Sequence, residues 1–437
     1  MTTHDVRPTG FSMLLLHLHP KMVPEEALAF RRTFGLGGAA LVCFVMLACT
    51  GALLLFAYEP SPERAYESVR ALVDGVPFGR FVRNLHHWAA TAFLVISLAH
   101  LLRVFFAGAL VPPRRANWLV GIGLLIAVVA SNFTGYLLPW DQLAYWAVTI
   151  ATGMLDYVPA IGSTLVRMAR GGAEIGSRTL AQFFVLHVAI LPLLLLSLMS
   201  FHFWLVRKAG GVVVPSRGGA GAPQRQLVPV SPNLLVREGV AALAVLAAVA
   251  LASAVLDAPL LAKANPGMSP NPAKAPWYFM GLQELLVHLH PAFAVVVVPL
   301  AALGALVVLP YLAGRETPSG RYFHSGVGAR AAALGTAAAV VLAPIAILAD
   351  ERLRLAPAWL PSLPAEIRLG VLPLLAMAGL LAALYLFARA RMRASRLESM
   401  QAVAAFSFVS LLILTVVGAL FRGPGMALVW PRLPGGL

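Results

Sequence analysis

Nine long apolar stretches dominate this chain, and none of them contains Asp, Glu, Lys or Arg. A helix of about 20 apolar residues is long enough to cross the hydrocarbon core of a bilayer. The sequence therefore predicts an all-α fold, a polytopic transmembrane helix bundle of about nine spans. The predicted spans are Leu36–Ala57, Asn84–Leu102, Asn117–Trp140, Thr179–Val206, Gly239–Leu256, Pro291–Gly314, Ala331–Ala349, Leu369–Ala388 and Met400–Phe421.

The charged residues are few and unevenly distributed between the two sides. Only 12% of residues are charged, about half the share of a soluble domain. One set of alternate connections carries 15 Lys and Arg against 3 Asp and Glu, and the other carries 12 against 12. Because basic connections stay in the cytoplasm, we predict an inner-membrane protein with a cytoplasmic N-terminus. This bias also explains much of the net charge of +15 without a nucleic-acid partner. The basic connections are 103–116, 207–238, 315–330 and 389–399.

Four histidines lie inside two of the predicted spans. His86 and His100 belong to the second span, and His187 and His202 belong to the fourth, where their separation is longer by a single position. Either separation puts both members of a pair on roughly one helix face, about 21 Å apart along the axis. A single buried histidine is more often a hydrogen-bonding residue, but four at matched depths favour two hemes, each held from both sides. His288 lies outside the spans and is expected to be solvated.

Glycines and arginines accompany the histidines. A pair of glycines on the first span and another on the third repeat the separation of His86 and His100. Such pairs are expected where a porphyrin approaches the backbone, although small residues also serve helix packing. Arg83 and Arg103 lie within one helical turn of a histidine and are candidates to pair with heme propionates. The glycines are Gly37, Gly51, Gly121 and Gly135.

Several motifs together resemble the cytochrome b subunit of quinol–cytochrome c oxidoreductases. They are the run RNLHHW, the histidine and glycine spacings, TGYLLPWDQLAYWA at 134–147 and VPAIGSTLVRMARGG at 158–172. The likeness is closest to the photosynthetic quinol–plastocyanin reductase branch, here with front and back parts in one chain. It implies two non-covalent b-type hemes, an outer one on His86 and His187 and an inner one on His100 and His202.

The same resemblance implies quinol oxidation at an outer site. One electron goes to a Rieske-type iron–sulfur protein and on to a c-type cytochrome; the other crosses the membrane through the hemes, with proton translocation. The implied complex has several subunits and is a homodimer. The expected site joins 134–147 with 275–284. Its aromatic lining is Tyr136, Trp140, Trp277 and Phe279, and its catalytic candidates are Glu284, Asp141 and Tyr278.

Two positions depart from the family pattern. Pro276 stands where the Pro-Glu-Trp-Tyr motif of the outer site has its glutamate. Glu284 is therefore a candidate substitute proton acceptor, with a solvated interfacial carboxylate as the alternative, and Asp141 is a second candidate. Gly35 replaces the cysteine that binds an extra covalent heme in the photosynthetic branch.

The resemblance also divides the chain. Residues 1–35 are expected to be an amphipathic segment on the cytoplasmic side, 36–206 the four-helix diheme core, and 207–235 a flexible linker. Residues 236–350 would complete the quinol site, and 351–437 would add two helices of unknown role. Two other functions stay open at this point: a diheme quinol dehydrogenase subunit feeding multiheme cytochromes, and a cofactor-free transporter with a histidine proton relay.

Overall fold

The computed structural model describes residues 21–215, 225–314, 316, 319–353 and 362–430. Within those ranges nine helices are long and apolar enough to cross a membrane, which confirms the predicted bundle. Large apolar side chains such as Leu243, Val255 and Leu386 face outward from them, as a lipid surround requires. In chain order the spans are Leu36–Leu55, Gly79–Phe106, Arg115–Leu137, Ser177–Lys208, Val230–Val255, Phe293–Leu312, Gly326–Arg352, Ile367–Ala390 and Arg396–Phe421.

Shorter elements connect the spans. In the part of the chain that the structure describes, the helices outside the spans are Ala65–Gly75, Gln142–Gly153, Gly162–Arg170 and Met280–His288. Short 3-10 turns are Glu25–Leu28, Phe30–Arg32, Met154–Tyr157, Trp277–Phe279 and Pro424–Met426. The strands Met22–Pro24 and Leu227–Pro229 pair antiparallel, with Met22 opposite Pro229.

The structure adds local detail to the N-terminal segment and the linker. In the predicted amphipathic segment 1–35, the described residues form a strand followed by two 3-10 turns, and residues 1–20 lie outside the described residues. The predicted linker 207–235 contains the strand Leu227–Pro229, and its last residues already belong to the helix that begins at Val230. Pairing with Met22–Pro24 anchors this part of the linker, a long-range contact that local composition does not reveal.

The first four spans pack around a shared apolar layer. Its buried residues come from all four helices: Cys43, Phe93, Leu94, Ala127, Val128 and Leu195. In sequence each lies between the two histidine or glycine levels of its own span. The layer therefore separates a "His86 end" of the bundle, which contains His86 and His187, from a "His100 end", which contains His100 and His202.

The ninth span is part of the core rather than an appendage. Leu397, fully buried at its start, belongs to the same cluster as Leu101 and Phe105 of the second span. The Gln401 side chain donates to the backbone carbonyl of Phe105 over 3.0 Å. A helix predicted to have no definable role thus packs directly against a histidine-bearing helix, at the His100 end.

Four helices of the described ranges contain a π-helical turn, and three of those turns are followed closely by a proline. Proline has no N–H to donate and its ring clashes with the carbonyl of the preceding turn, so a wider turn there relieves both problems. The turn and proline pairs are Leu186–Ile190 with Pro192, Phe293–Val297 with Pro299, and Ile367–Val371 with Pro373.

Candidate functional site

The four intramembrane histidines meet as two pairs at two depths. The ring centroids of His86 and His187 lie 6.1 Å apart, and those of His100 and His202 lie 6.3 Å apart. Each pair takes one ring from the second span and one from the fourth. The sequence predicted this pairing, and the structure brings the rings together as predicted.

The ring separations fit a metal ion between the two imidazoles. An imidazole nitrogen binds a transition metal at about 2 Å, and the ring centre lies about 1 Å further away. Two imidazoles on opposite sides of one ion therefore have centroids roughly 6 Å apart. Both observed separations agree with that value, so His86 with His187 and His100 with His202 would each fit a heme iron.

At the His86 end, hydrogen bonds occupy Nδ1 of both histidine rings. His187 Nδ1 lies 3.0 Å from the carbonyl of Ser131, so it carries the proton and donates. The Thr50 hydroxyl donates to the carbonyl of Met46, which leaves its oxygen to accept from His86 Nδ1 at 2.9 Å. Nε2 of each ring is then the nitrogen that would bind a heme iron. Sequence reasoning missed both partners, because they lie on neighbouring spans.

The four predicted glycines each face one histidine. A Cβ atom built on Gly51 would lie 3.3 Å from His86, and one on Gly37 would lie 3.5 Å from His100. On the third span, a Cβ on Gly135 would lie 2.5 Å from His187, and one on Gly121 would lie 3.8 Å from His202. The shared separation thus matches each glycine to the histidine at its own depth. The glycines leave room for the imidazole rings, which explains their positions more directly than contact with a porphyrin alone.

His187 lies inside a π-helical turn, Leu186–Ile190, in which the Leu191 N–H donates to the carbonyl of Leu186. This turn accounts for the longer separation of the two histidines on the fourth span. A π-turn inserts one extra residue into a helix. His187 and His202 therefore lie on one face of the fourth span, as His86 and His100 do on the second, although they are one residue further apart in sequence. Pro192 together with the unequal separations was the signal that could have predicted it.

Arg83 and Arg103 hold backbone carbonyls near the two histidine levels. Arg83 donates to the carbonyls of Ala258 and Pro259 over 2.8 and 2.6 Å, and Arg103 donates to that of Arg32 over 2.6 Å. A guanidinium has five N–H donors, so each arginine keeps further donors for an anionic group. Pairing with a propionate stays a prediction.

The aromatic candidates separate into two groups. Phe279 packs edge-on against Phe133 of the third span at 5.8 Å, and Tyr278 packs against the apolar layer between the histidine levels. Trp140 is buried in another cluster, 5.6 Å from Tyr145, whereas Trp277 is 41% exposed. The structure therefore packs Tyr278 and Phe279 against the first four spans, whereas Trp277 is the more exposed side chain.

Tyr278 carries a buried hydroxyl that has no hydrogen-bond partner among the described residues. Burial, and to a smaller extent the neighbouring Tyr136 phenol, raise the pKa of this hydroxyl above its ordinary value. It therefore stays protonated and is a donor without an acceptor. A buried donor without an acceptor is costly, so this hydroxyl is available to donate to a bound molecule.

The two candidate carboxylates have structural partners of their own. Asp141 caps the helix Gln142–Gly153: one oxygen accepts from the Ala144 N–H at 2.9 Å and the other from the Leu261 N–H at 2.9 Å. Glu284 is fully buried and lies against Arg422, with Nη2 at 2.6 Å and Nε at 3.0 Å.

His288, expected to be solvated, also contacts the Glu284 carboxylate, with Nε2 at 3.2 Å. Burial raises the pKa of Glu284, but the hydrogen bonds and charges of His288 and Arg422 outweigh it, so that pKa lies below its usual range. This low pKa disfavours the protonated state that a proton acceptor has to reach. Arg422 is 138 residues away in sequence, so no local signal could have identified it.

Comparisons with known proteins agree with this geometry. The family model described as Cytochrome b/b6/petB matches residues 22–210. The chain is 37% identical over 190 residues to cytochrome b6 of Acaryochloris marina, covering 44% of this chain and 87% of that protein. It is 41% identical over 206 residues to cytochrome b6 of Heliobacterium modesticaldum, covering 47% and 96%.

A solved structure extends the likeness beyond the front bundle. A chain described as "Hyperthermophilic respiratory Complex III" superimposes with a TM-score of 0.67 at 23% identity, over 95% of this chain and 98% of that one. At that identity the comparison establishes the fold. With the sequence relatives and the paired histidines, it places the front and back parts in one fold: this chain belongs to the cytochrome b/b6 family, whose members bind b-type hemes.

Proposed function

We propose that this chain is the diheme cytochrome b subunit of a bc-type complex. It would oxidise membrane quinol at the His86 end, on the outer side, and pass electrons across the membrane with proton translocation. The observation that carries the proposal is the pair of histidine pairs, at 6.1 and 6.3 Å, on two helices that face each other at two depths. A single such pair would hold one heme and leave the electron on one side of the bilayer.

The histidine residues define the electron path. His86 and His187 would hold the outer heme, and His100 and His202 the inner one. The hemes supply reversible one-electron chemistry when bound. The protein would tune it through the hydrogen bonds at Nδ1 of His86 and His187, the glycines that admit the rings, and the buried layer between the two levels.

At the outer site the chain's own contribution is a binding surface. Tyr278 and Phe279 lie at the His86 end, against the third span that carries Tyr136, and offer aromatic faces to a quinone ring. The Tyr278 hydroxyl is placed to donate to a quinone oxygen, because it is buried and has no other partner among the described residues. Asp141 and Glu284 stay predictions as proton acceptors, and their contacts to backbone and to Arg422 count against both.

The proposed partners follow from what this chain does not supply. We propose a Rieske-type iron–sulfur protein and a c-type cytochrome as acceptors, in a homodimeric complex of the inner membrane with the N-terminus in the cytoplasm. The second candidate, a quinol dehydrogenase subunit feeding multiheme cytochromes, is favoured by Pro276 at the position of the motif glutamate. A cofactor-free transporter does not agree with membership of a heme-binding family.

The test is a pyridine hemochrome count on the purified protein, with reduced-minus-oxidised spectra. We expect two b-type hemes per chain, and one after either His100→Ala or His187→Ala. His87→Ala is the matched control, since His87 neighbours His86 but stacks edge-on against Trp88 at 5.1 Å. Full heme content in the His100 and His187 variants would rule out the proposed ligands. The two candidate functions are separated by the rate of quinol oxidation, measured once with cytochrome c and once with a multiheme cytochrome as the electron acceptor.

A further inference from the structure

The last span and the loop after it hold the segment that carries Tyr278. Lys274 donates to the carbonyl of Ala419 over 2.8 Å, and the Gly425 N–H donates to Asn271 over 2.6 Å. The helix Met280–His288 packs so closely that a Cβ on Gly281 would lie 2.6 Å from Leu411. The quinol-site segment is therefore attached to the ninth span at several points.

A buried ion network lies at the centre of this attachment. Arg422 is 2% exposed and Glu284 is fully buried. Beyond its contacts to Glu284, Arg422 bonds Glu351 at the end of the seventh span, and it donates to the carbonyl of Met426 over 2.9 Å. His288 joins Glu284 to Asp350, with Nδ1 at 2.7 Å from the Asp350 carboxylate. The network thus ties the short helix to two separate spans.

The network contains more acidic than basic groups, so each of its cations matters. Three carboxylates, Glu284, Asp350 and Glu351, face one guanidinium and one imidazole among the described residues. Burial lowers the pKa of His288, but its bonds to Glu284 and Asp350 outweigh that and raise the pKa above its usual value. A protonated His288 leaves the cluster one negative charge from neutrality. Glu284, which has no solvent exposure, depends on Arg422 for compensation.

We infer that Arg422 is a positioning residue of the outer quinol site: through Glu284 it fixes the helix that presents Tyr278 and Phe279 to the third span. The inference rests on the proposed quinol oxidation at that site. From the sequence, the ninth span had no defined role. This inference gives it a part in forming the quinol site. Among the described residues, Arg422 forms no hydrogen bond with Tyr278 or Phe279. It therefore acts through Glu284.

An ion pair suits this role better than apolar packing would. Two parallel N–H···O bonds from a planar guanidinium define both distance and angle, which a lone apolar contact does not. Removal of one partner leaves a buried carboxylate without compensation, which is strongly unfavourable and shifts the helix or protonates the acid. A displacement of about 1 Å at a substrate-positioning element can lower a rate by roughly a hundredfold.

The experiment compares Arg422→Gln and Arg422→Lys with the parent in the purified complex. Quinol-dependent reduction of the b hemes is measured over a range of quinol concentrations, with each rate divided by heme content. We expect Arg422→Gln to raise the KM for quinol about tenfold or more with both hemes retained, and Arg422→Lys to recover part of the loss. Arg64→Gln is the matched control, because it removes an ion pair, to Glu59, that is more than half exposed.

A pH profile separates positioning from a general loss of folded protein. In Arg422→Gln the carboxylate of Glu284 loses its main cation, so the acid limb of quinol oxidation should move to higher pH. A smaller yield of folded complex would scale the profile without moving that limb.

Three outcomes decide between the proposals. Unchanged kcat and KM in both Arg422 variants, or losses that only follow heme content, would overturn the inference. If Arg422→Gln does not assemble, Arg422→Lys decides on the same criteria. A parent complex that never reduces its hemes with quinol would overturn the proposed function instead.

Discussion

A Cβ atom on Gly135 would lie 2.5 Å from Cε1 of His187, whereas one on Gly121 would lie 3.8 Å from the same atom of His202. The two glycines belong to one helix and occupy equivalent positions relative to the histidine levels. Their tolerance of a methyl group is nevertheless different, because real Cβ atoms essentially never approach another atom within 3.0 Å.

Gly135→Ala should therefore impair the proposed heme site at His86 and His187, and Gly121→Ala should not impair the proposed site at His100 and His202. Overpacking of this kind costs about 1–3 kcal/mol, equivalent to roughly a fivefold to 150-fold loss of heme affinity. Heme content after dilution, resolved by the spectra of the two hemes, measures the effect. Equal retention of both hemes in the two variants would show that His187 does not need the space.

Tyr278→Phe should weaken quinol binding without destabilising the protein. The buried hydroxyl has no partner among the described residues, so its removal breaks no internal hydrogen bond. A lost hydrogen bond to quinol of about 0.5–1.5 kcal/mol raises the KM roughly twofold to tenfold. Tyr58→Phe provides the opposite case: it loses a 2.8 Å bond to the carbonyl of Leu138, so thermal stability should fall while the KM stays constant.

Substitutions of Asp141 test whether its carboxylate caps a helix or accepts a proton from quinol. Asp141→Ala should lower stability by about 0.5–2 kcal/mol, as the loss of a helix N-cap does. Asp141→Asn keeps one acceptor oxygen and should fall between the parent and Asp141→Ala in thermal inactivation, with quinol oxidation within about twofold of the parent. A complete loss of turnover in a stable Asp141→Asn protein would instead restore its predicted role as a proton acceptor.

His288 should make the stability of the complex depend on pH. Its pKa is raised in the folded protein, so its contribution is fully present below the unfolded value of about 6.5 and is lost as pH rises through the higher folded pKa. Heat-inactivation rates should therefore increase towards alkaline pH, and His288→Gln should abolish that increase. An identical alkaline limb in His288→Gln would assign the pH dependence to another group.

Hydropathy and helical period were enough to predict the bundle and its two histidine pairs. Nine apolar stretches predict nine spans because a bilayer requires each helix to satisfy its own backbone hydrogen bonds. The pairing of His86 with His187 and of His100 with His202 was also predictable, because a regular helix converts sequence spacing into depth and facing. Pro192 added a local signal for the π-turn that keeps His187 in phase.

The roles of the polar residues around these pairs depended on the tertiary structure. Glu284 meets Arg422 across 138 residues, and the oxygens of Asp141 meet an amide 120 residues away as well as its own helix. A carboxylate in a sequence does not reveal whether an arginine, a backbone amide or water will neutralise it, because that depends on which helices pack together. The sequence by itself determined the number of helices and the depth of the histidines. Only the packing of the ninth span against the helix Met280–His288 decided that Glu284 is an ion-paired, structural carboxylate.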